Sequence, residues 1–343
     1  MRRIDPNGTG LAGHMYGLPF TPEESRVLLV PVPWEATASY GEGASRAPAA
    51  ILAASRQVEL LDRQTGRPYQ AAIAMLPIPE EVLAWSEAAR RVAAPVIQAG
   101  GPGDDAGLKR AAAAVDAACE RMNGWVHEEV ARRVEEGKLV GVVGGDHSVS
   151  YGAIRALAEA HPGIGVLHLD AHADLRDAYQ GLAWSHASVM YNVLRDLGGV
   201  ARIVQVGVRD YCDAEGACIE QDPFRLRTYF DPDLRAEIHE GEGWASIAGR
   251  IVADLPWEVY LSFDIDGLDP SLCPNTGTPV PGGLSFAEIT TLLRVLSQSG
   301  RRILGFDLTE VAPDASGRSE WDANVGARLL YKQIGFALLS QRG

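Results

Sequence analysis

Asp170, His172 and Asp174 stand at every second position, directly after the apolar run Gly165-Val166-Leu167-His168-Leu169. Side chains two apart on an extended backbone share a face. If the chain stays extended past the run, two carboxylates and an imidazole converge on one point, which is costly unless a cation sits there. Val259-Tyr260-Leu261-Ser262-Phe263 is followed by Asp264 and Asp266 at the same spacing. Further upstream, Leu139-Val140-Gly141-Val142-Val143 leads into Gly144-Gly145-Asp146-His147. Four carboxylates and two imidazoles thus follow three apolar runs, a set that suits two divalent ions. A carboxylate-rich donor set with a minority of imidazoles favours Mn2+ over zinc, with Fe2+, Co2+ and Ni2+ also compatible. Two ions roughly 3.5–4 Å apart can share a hydroxide, lower its pKa and hold it over an electrophilic carbon or phosphorus. The chemistry expected is hydrolysis.

Those ligands need strands that end together. Strand-like segments are expected at residues 26–32, 139–143, 164–169, 202–207, 259–264 and 302–308, and helical ones at 44–61, 106–136, 149–160, 187–197, 244–254, 285–298 and 321–341. The Gly/Pro/Asp-rich stretch 97–105 reads as a linker without requiring a domain boundary. Strand–helix alternation implies βαβ units, a mainly parallel sheet and helices on both faces. The expected fold is therefore a three-layer α/β/α domain over 26–343, preceded by an N-terminal arm over 1–25. Open sheets of this kind bind ligands at the carboxyl ends of their strands.

Bulk properties narrow the partners. The chain has 343 residues, 46% hydrophobic and 22% charged, ordinary values for a globular protein. A net charge of −14 argues against nucleic acid or an anionic membrane as partner and is compatible with a small cationic substrate. The four cysteines, Cys119, Cys212, Cys218 and Cys273, show neither zinc-type pairing nor a disulfide framework, so a reducing compartment is the default. No apolar h-region follows Arg2-Arg3, and no apolar run approaches the ~18 residues of a membrane span. The expectation is a soluble, cytoplasmic protein.

The three motifs Gly144-Gly145-Asp146-His147-Ser148, Asp170-Ala171-His172-Ala173-Asp174 and Ser262-Phe263-Asp264-Ile265-Asp266-Gly267-Leu268-Asp269-Pro270 resemble, in order and spacing, the signatures of the ureohydrolase family of arginase, agmatinase and related guanidino hydrolases. The similarity runs from about Val27 to the final helix. It implies an arginase-like sheet and two Mn2+ per subunit. One ion would be bound by His147, Asp170, Asp174 and Asp264, the other by His172, Asp170, Asp264 and Asp266, so that Asp170 and Asp264 bridge. Asp174 would also accept a hydrogen bond from the hydroxide that attacks the guanidinium carbon, giving urea and an amine. Trimers or hexamers are implied as well.

Further roles follow from the same resemblance. His186 occupies the place of a catalytic histidine of agmatinase-like members, in a Ser-His-Ala context where they have Ser-His-Gly. An imidazole with an unperturbed pKa near 6.5 can shuttle a proton to the leaving amine. Glu310 matches the glutamate that grips the guanidinium, and Thr278 the loop that lines its pocket. Leu175-Arg176-Asp177-Ala178-Tyr179 replaces the Asn-Thr-Pro segment with which arginase-like members hold an amino-acid head. Agmatine, giving putrescine, is the expected substrate, with Asp177 on its distal ammonium. Arg176 keeps a guanidino acid such as guanidinobutyrate or formiminoglutamate open, and free guanidine with nickel is a further alternative; a non-catalytic binding member of the fold is disfavoured because no ligand is missing. Asp269 before Pro270 reads as a turn initiator, His168 either as a hydrogen-bonding support of the metal ligands or as a satisfied core histidine, Asp146 as an orienting group for His147 or a neighbouring backbone group, and Gly144-Gly145 as a close backbone approach.

Overall fold

The computed structural model describes residues 4–342. Among them, eight strands form one parallel sheet: β1 (Val27–Pro31), β2 (Ile73–Met75), β3 (Leu139–Val143), β4 (Ile164–Leu169), β5 (Val200–Val208), β6 (Leu226–Phe230), β7 (Glu258–Phe263) and β8 (Arg302–Leu308). Their spatial order is β2-β1-β3-β8-β7-β4-β5-β6. The helices are α1 (Ala47–Ser55), α2 (Glu80–Gln98), α3 (Ala106–Glu135), α4 (Ser150–Ala160), α5 (Val189–Asp196), α6 (Asp213–Gln221), α7 (Asp231–His239), α8 (Trp244–Ala253), α9 (Phe286–Gln298) and α10 (Trp321–Ser340). No helix among the described residues is long and apolar enough to cross a membrane.

The strands are apolar on both faces because helices cover both. Alternate residues sort into two cores. Leu29, Leu167, Leu169, Leu261, Phe263 and Phe306 pack with α1, α8, α9 and α10. Val30, Val166, Tyr260 and Leu304, one residue out of step, pack with α2, α3, α4 and α5. This period of two lets one short run serve two layers. The central strands β3, β8, β7 and β4 thereby lose all freedom of register, since a slip of one residue would exchange the two cores.

Several expectations need correction. The helix expected over 44–61 is a single turn, Ala44–Arg46, followed by α1, which stops at Ser55. There the Ser55 hydroxyl donates back to the Leu52 carbonyl and accepts the backbone N–H of Tyr16, so tertiary contact ends the helix. Leu61, at the end of the expected helix, is exposed. The strands β2 and β6 and the helices α2, α6 and α7 are additional to the expected set. Both extra strands lie at sheet edges, and β2 has only three residues, too few for a periodic signal. Within the expected arm, Met15, Tyr16 and Leu18 are buried in the core on the α1 and α10 side, and the Tyr16 hydroxyl donates to the Ala327 carbonyl of α10. Residues 1–3 of the expected arm lie outside the described residues.

Candidate metal centre

Four neighbouring strands deliver the site. After β3 the chain turns through Gly144-Gly145 into Asp146, which caps the short turn His147–Val149 by accepting from Ser148 N. Gly145 is required here: a Cβ would fall 1.6 Å from the Trp34 carbonyl oxygen. Its own carbonyl accepts Glu310 N at 2.8 Å, tying the end of β3 to the end of β8. Asp170 follows β4, Asp264 follows β7, and Asp264 N donates to the Leu169 carbonyl. His172 still forms a parallel bridge with Asp210, but the chain does not stay extended through Asp174. Asp174 has φ 54°, a left-handed conformation uncommon outside glycine, and Glu310 has φ 60°. Such outliers persist only where surroundings over-determine them. For Asp174 these are the N–H groups of Met190 and Tyr191, which both donate to its carbonyl, and Leu175 N, which donates to the buried Glu215 carboxylate.

The turn sorts the side chains into two adjoining groups. His147 Nδ1 lies 3.0 Å from Asp170 Oδ2, 3.0 Å from Asp174 Oδ2 and 3.5 Å from Asp264 Oδ2. His172 Nδ1 lies 3.1 Å from Asp266 Oδ2 and 3.5 Å from Asp170 Oδ1. Asp170 belongs to both. Donor atoms about 3 Å apart are the edges of an octahedron with bonds of ~2.1 Å, so the spacing fits a hard divalent cation. His168, two residues before Asp170, approaches Asp170 Oδ2 at 2.8 Å, and its other nitrogen is 3.0 Å from Gln205 Nε2.

Electrostatics point the same way. Burial works against charge on His147, yet Asp170 and Asp174 outweigh it and hold its pKa well above the ordinary histidine value. Burial also opposes charge on His172, and Asp266 with Asp170 overrides it, pushing the pKa up to about 12. Asp174 is pushed up to about 6 by burial and then by the charge on Asp170. Asp264 is raised by burial, then by Asp266, Asp170 and Glu310. Asp170 goes the other way: burial opposes its charge, but His168, His147 and His172 hold its carboxyl well below the usual range. Asp174, Asp264 and both imidazoles hold protons more tightly than usual, so this part of the cluster is short of positive charge. Two divalent ions would supply it.

Above this cluster is a cavity of about 530 Å³, whose wall includes His147, His172, Asp174, Asp264, Asp266, Thr278, His186 and Glu310. Glu310 is 9% exposed, its Oε1 accepts His147 N at 2.8 Å, and burial followed by the neighbouring Asp146 raises its pKa well above the usual range. Thr278 Oγ1 stands 3.5 Å from Asp266 Oδ2. His186 lies half-buried in the wall, and burial, then the positive His172 and His147, push its pKa down to about 4. Its resting form at neutral pH is therefore the uncharged imidazole, not a group poised near 6.5.

Some expected residues fall elsewhere. Asp177 is not among the cavity-lining residues; its carboxylate hydrogen-bonds the Tyr191 side chain. An exposed acid that does line the cavity is Asp210, and Tyr40, Tyr179 and Tyr211 belong to the same wall. Asp269 does initiate a turn, accepting Ser271 N and Leu272 N. Sequence reasoning missed Ser262 and Asp307. The Ser262 hydroxyl is 2.9 Å from His147 Nε2 and donates to Asp307, which fixes the far side of the imidazole. A serine inside an apolar strand run was the available signal.

The sequence profile of the Arginase family matches residues 25–335. The chain belongs to the arginase family. The N(1)-aminopropylagmatine ureohydrolase of Thermus thermophilus is 34% identical over 324 residues, covering 94% of each chain, and that of Synechocystis is 30% identical over 328 residues, covering 93% of this chain and 91% of its own. The crystal structure of agmatine ureohydrolase of Thermoplasma volcanium superposes with a TM-score of 0.71 at 24% identity, covering 95% of this chain and 94% of that one, which supports the fold. As an agmatinase-like member of the arginase family, the chain is a hydrolase of carbon–nitrogen bonds in linear amidines.

Proposed function

We propose that this arginase-family member hydrolyses a cationic guanidino compound without a carboxylate head, of the agmatine or N(1)-aminopropylagmatine type, to urea and an amine. The observation that carries this reading is the cavity wall: Glu310, a buried carboxylate with lone pairs to spare, lines it together with Asp174, Asp264 and Asp266. Such a wall suits a planar cation that a carboxylate can hold through paired hydrogen bonds. His147, Asp170, Asp174 and Asp264 would hold one ion, and His172, Asp170, Asp264 and Asp266 the other, Mn2+ being the metal best matched to the donors. When bound, the pair supplies Lewis acidity and a water of lowered pKa. Asp174 would accept a hydrogen bond from that water. His186, neutral at rest, would take a proton and return it to the departing amine. Thr278 would help shape the guanidinium pocket.

The tail specificity rests on Arg176. Its guanidinium lies 4.7 Å over the Tyr179 ring, and its Nε is 3.7 Å from the buried Glu215 carboxylate. A cation already paired in this way is poorly placed to bind a substrate carboxylate, which weighs against guanidinobutyrate. Asp210 and the tyrosines of the wall suit an ammonium tail instead. A cytoplasmic location fits the four free cysteines, and a trimer or hexamer is proposed from the family, to be checked by light scattering.

Urea release from agmatine, N(1)-aminopropylagmatine, guanidinobutyrate, arginine and guanidine, with Mn2+ and Ni2+ supplied separately, tests the proposal. The two agmatine-type substrates with Mn2+ should be fastest. A preference for guanidinobutyrate would sink the tail assignment, and no urea from any member with both metals bound would sink the activity itself.

A further inference from the structure

The loop after β1 passes beside the cavity without exposing all of itself. Ser39 and Tyr40 line the wall, whereas Thr37, two residues earlier, is 1% exposed and does not. The loop is stapled by Glu35, whose carboxylate accepts Gly43 N, the Ser45 hydroxyl at 3.0 Å and Ser45 N at 3.3 Å, while Glu35 N donates to the Ser86 hydroxyl of α2 at 2.8 Å. Thr37 is therefore held on a rigid support.

Its hydroxyl meets His186 twice. His186 N donates to Thr37 Oγ1 at 3.1 Å, and His186 Nδ1 lies 3.2 Å from the same oxygen. A third neighbour is Asp146 Oδ2, at 3.4 Å. A threonine hydroxyl has one hydrogen and two lone pairs. Asp146 Oδ2 already accepts Thr37 N, and its Oδ1 accepts Ser148 N and the Ser148 hydroxyl, so this carboxylate meets Thr37 as an acceptor; the hydroxyl hydrogen goes to Asp146, and the two lone pairs are left for His186 N–H and Nδ1–H. Every valence of the hydroxyl is then used. The Tyr179 ring stands edge-on to the imidazole at 5.9 Å between centroids, closing another side.

We infer that Thr37 is the positioning residue that fixes the rotamer and tautomer of His186, holding the proton on Nδ1 so that Nε2 offers its lone pair to the cavity. This rests on the reading of His186 as the proton carrier of the reaction. Thr37 itself touches no substrate. In the wrong tautomer Nε2 would carry a hydrogen and could not accept the first proton. One hydroxyl therefore selects which nitrogen does the chemistry.

The test compares T37V, which keeps shape and removes the hydroxyl, with T37S, which keeps the hydroxyl, in the full-length Mn2+-loaded enzyme with agmatine or the fastest substrate of the panel. T37V should lower kcat by about tenfold, the scale of one lost hydrogen bond, with KM within twofold and two metals per chain by elemental analysis. T37S should recover most of the loss. On an H186A background T37V should have no further effect. Independently of any variant's folding, 15N shifts of the wild-type enzyme loaded with diamagnetic Mg2+ should show the Nδ1–H tautomer at His186, assigned through H186A. T37V at wild-type kcat, T37S as slow as T37V, an additive double variant, or an Nε2–H tautomer in the wild type would each overturn the inference. H186A at wild-type turnover would instead overturn the reading of His186 on which it rests.

Discussion

At the scale of single residues, each side chain around the cluster has a separable task. Asp264 is shared in the proposed ligand set, so D264N, which keeps the shape and removes the charge, should lower both metal content and turnover; two ions per chain by elemental analysis would refute its bridging place. H186A should retain both ions and slow turnover by about 10²–10⁴-fold, the usual contribution of a positioned proton carrier. The depressed pKa of His186, about 4, also has a pH consequence. The unfolded chain binds this proton near pH 6.5 while the folded one resists it, so the contribution to stability is present above 6.5 and is lost as pH falls towards 4. Wild type should therefore lose more urea stability between pH 7 and 5 than H186N does; equal losses would show that His186 titrates normally in the fold. The proposed metal ligands could be picked out in the sequence because each follows an apolar strand run, the carboxylates and His172 at a spacing of two. Ser262–Asp307 and Thr37–His186 were not, because the partners are 45 and 149 residues apart and only the folded sheet joins them.

At the scale of elements, backbone fit and capping govern the geometry. Gly145 sits against Trp34 with no room for a methyl group, so G145A should destabilise by about 1–3 kcal/mol or more and reduce metal occupancy through the displaced His147. Normal occupancy in G145A would show that the turn is not what places that imidazole. Far from the site, Ser285 and Glu288 form a capping box at the start of α9. S285A should lower unfolding free energy by about 1 kcal/mol, with turnover unchanged; the paired measurements separate a stability effect from a site effect. The central strands could be read within a residue or two because their apolar runs are buried on both faces, and α3, α9 and α10 within a residue or two from propensity and apolar patterning, whereas the 19-residue α2 was not read at all. The edge strands and α6–α7 carry mixed patterns set by their neighbours, and α1 ends where Tyr16 docks, which no local pattern encodes.

At the scale of the whole molecule, the site joins strands separated by more than a hundred residues, so metal loading and folding are linked. Cations that bind only the folded chain add about 2.7 kcal/mol for each site at a hundred times Kd. Removal of metal should therefore lower the midpoint of thermal unfolding, and Mn2+ should restore it; a midpoint indifferent to chelator would mean that the cluster carries no tightly held ion. The strand order has a consequence for how the protein is made. β8, the last strand in the sequence, lies between β3 and β7 in the middle of the sheet. During synthesis both flanking parts of the sheet are therefore made before the strand that separates them, and its pairing with β3 is a non-local contact of the kind that forms slowly. Glu310, the proposed holder of the guanidinium, follows the end of that strand, so it joins the cavity wall only once β8 is paired between β3 and β7.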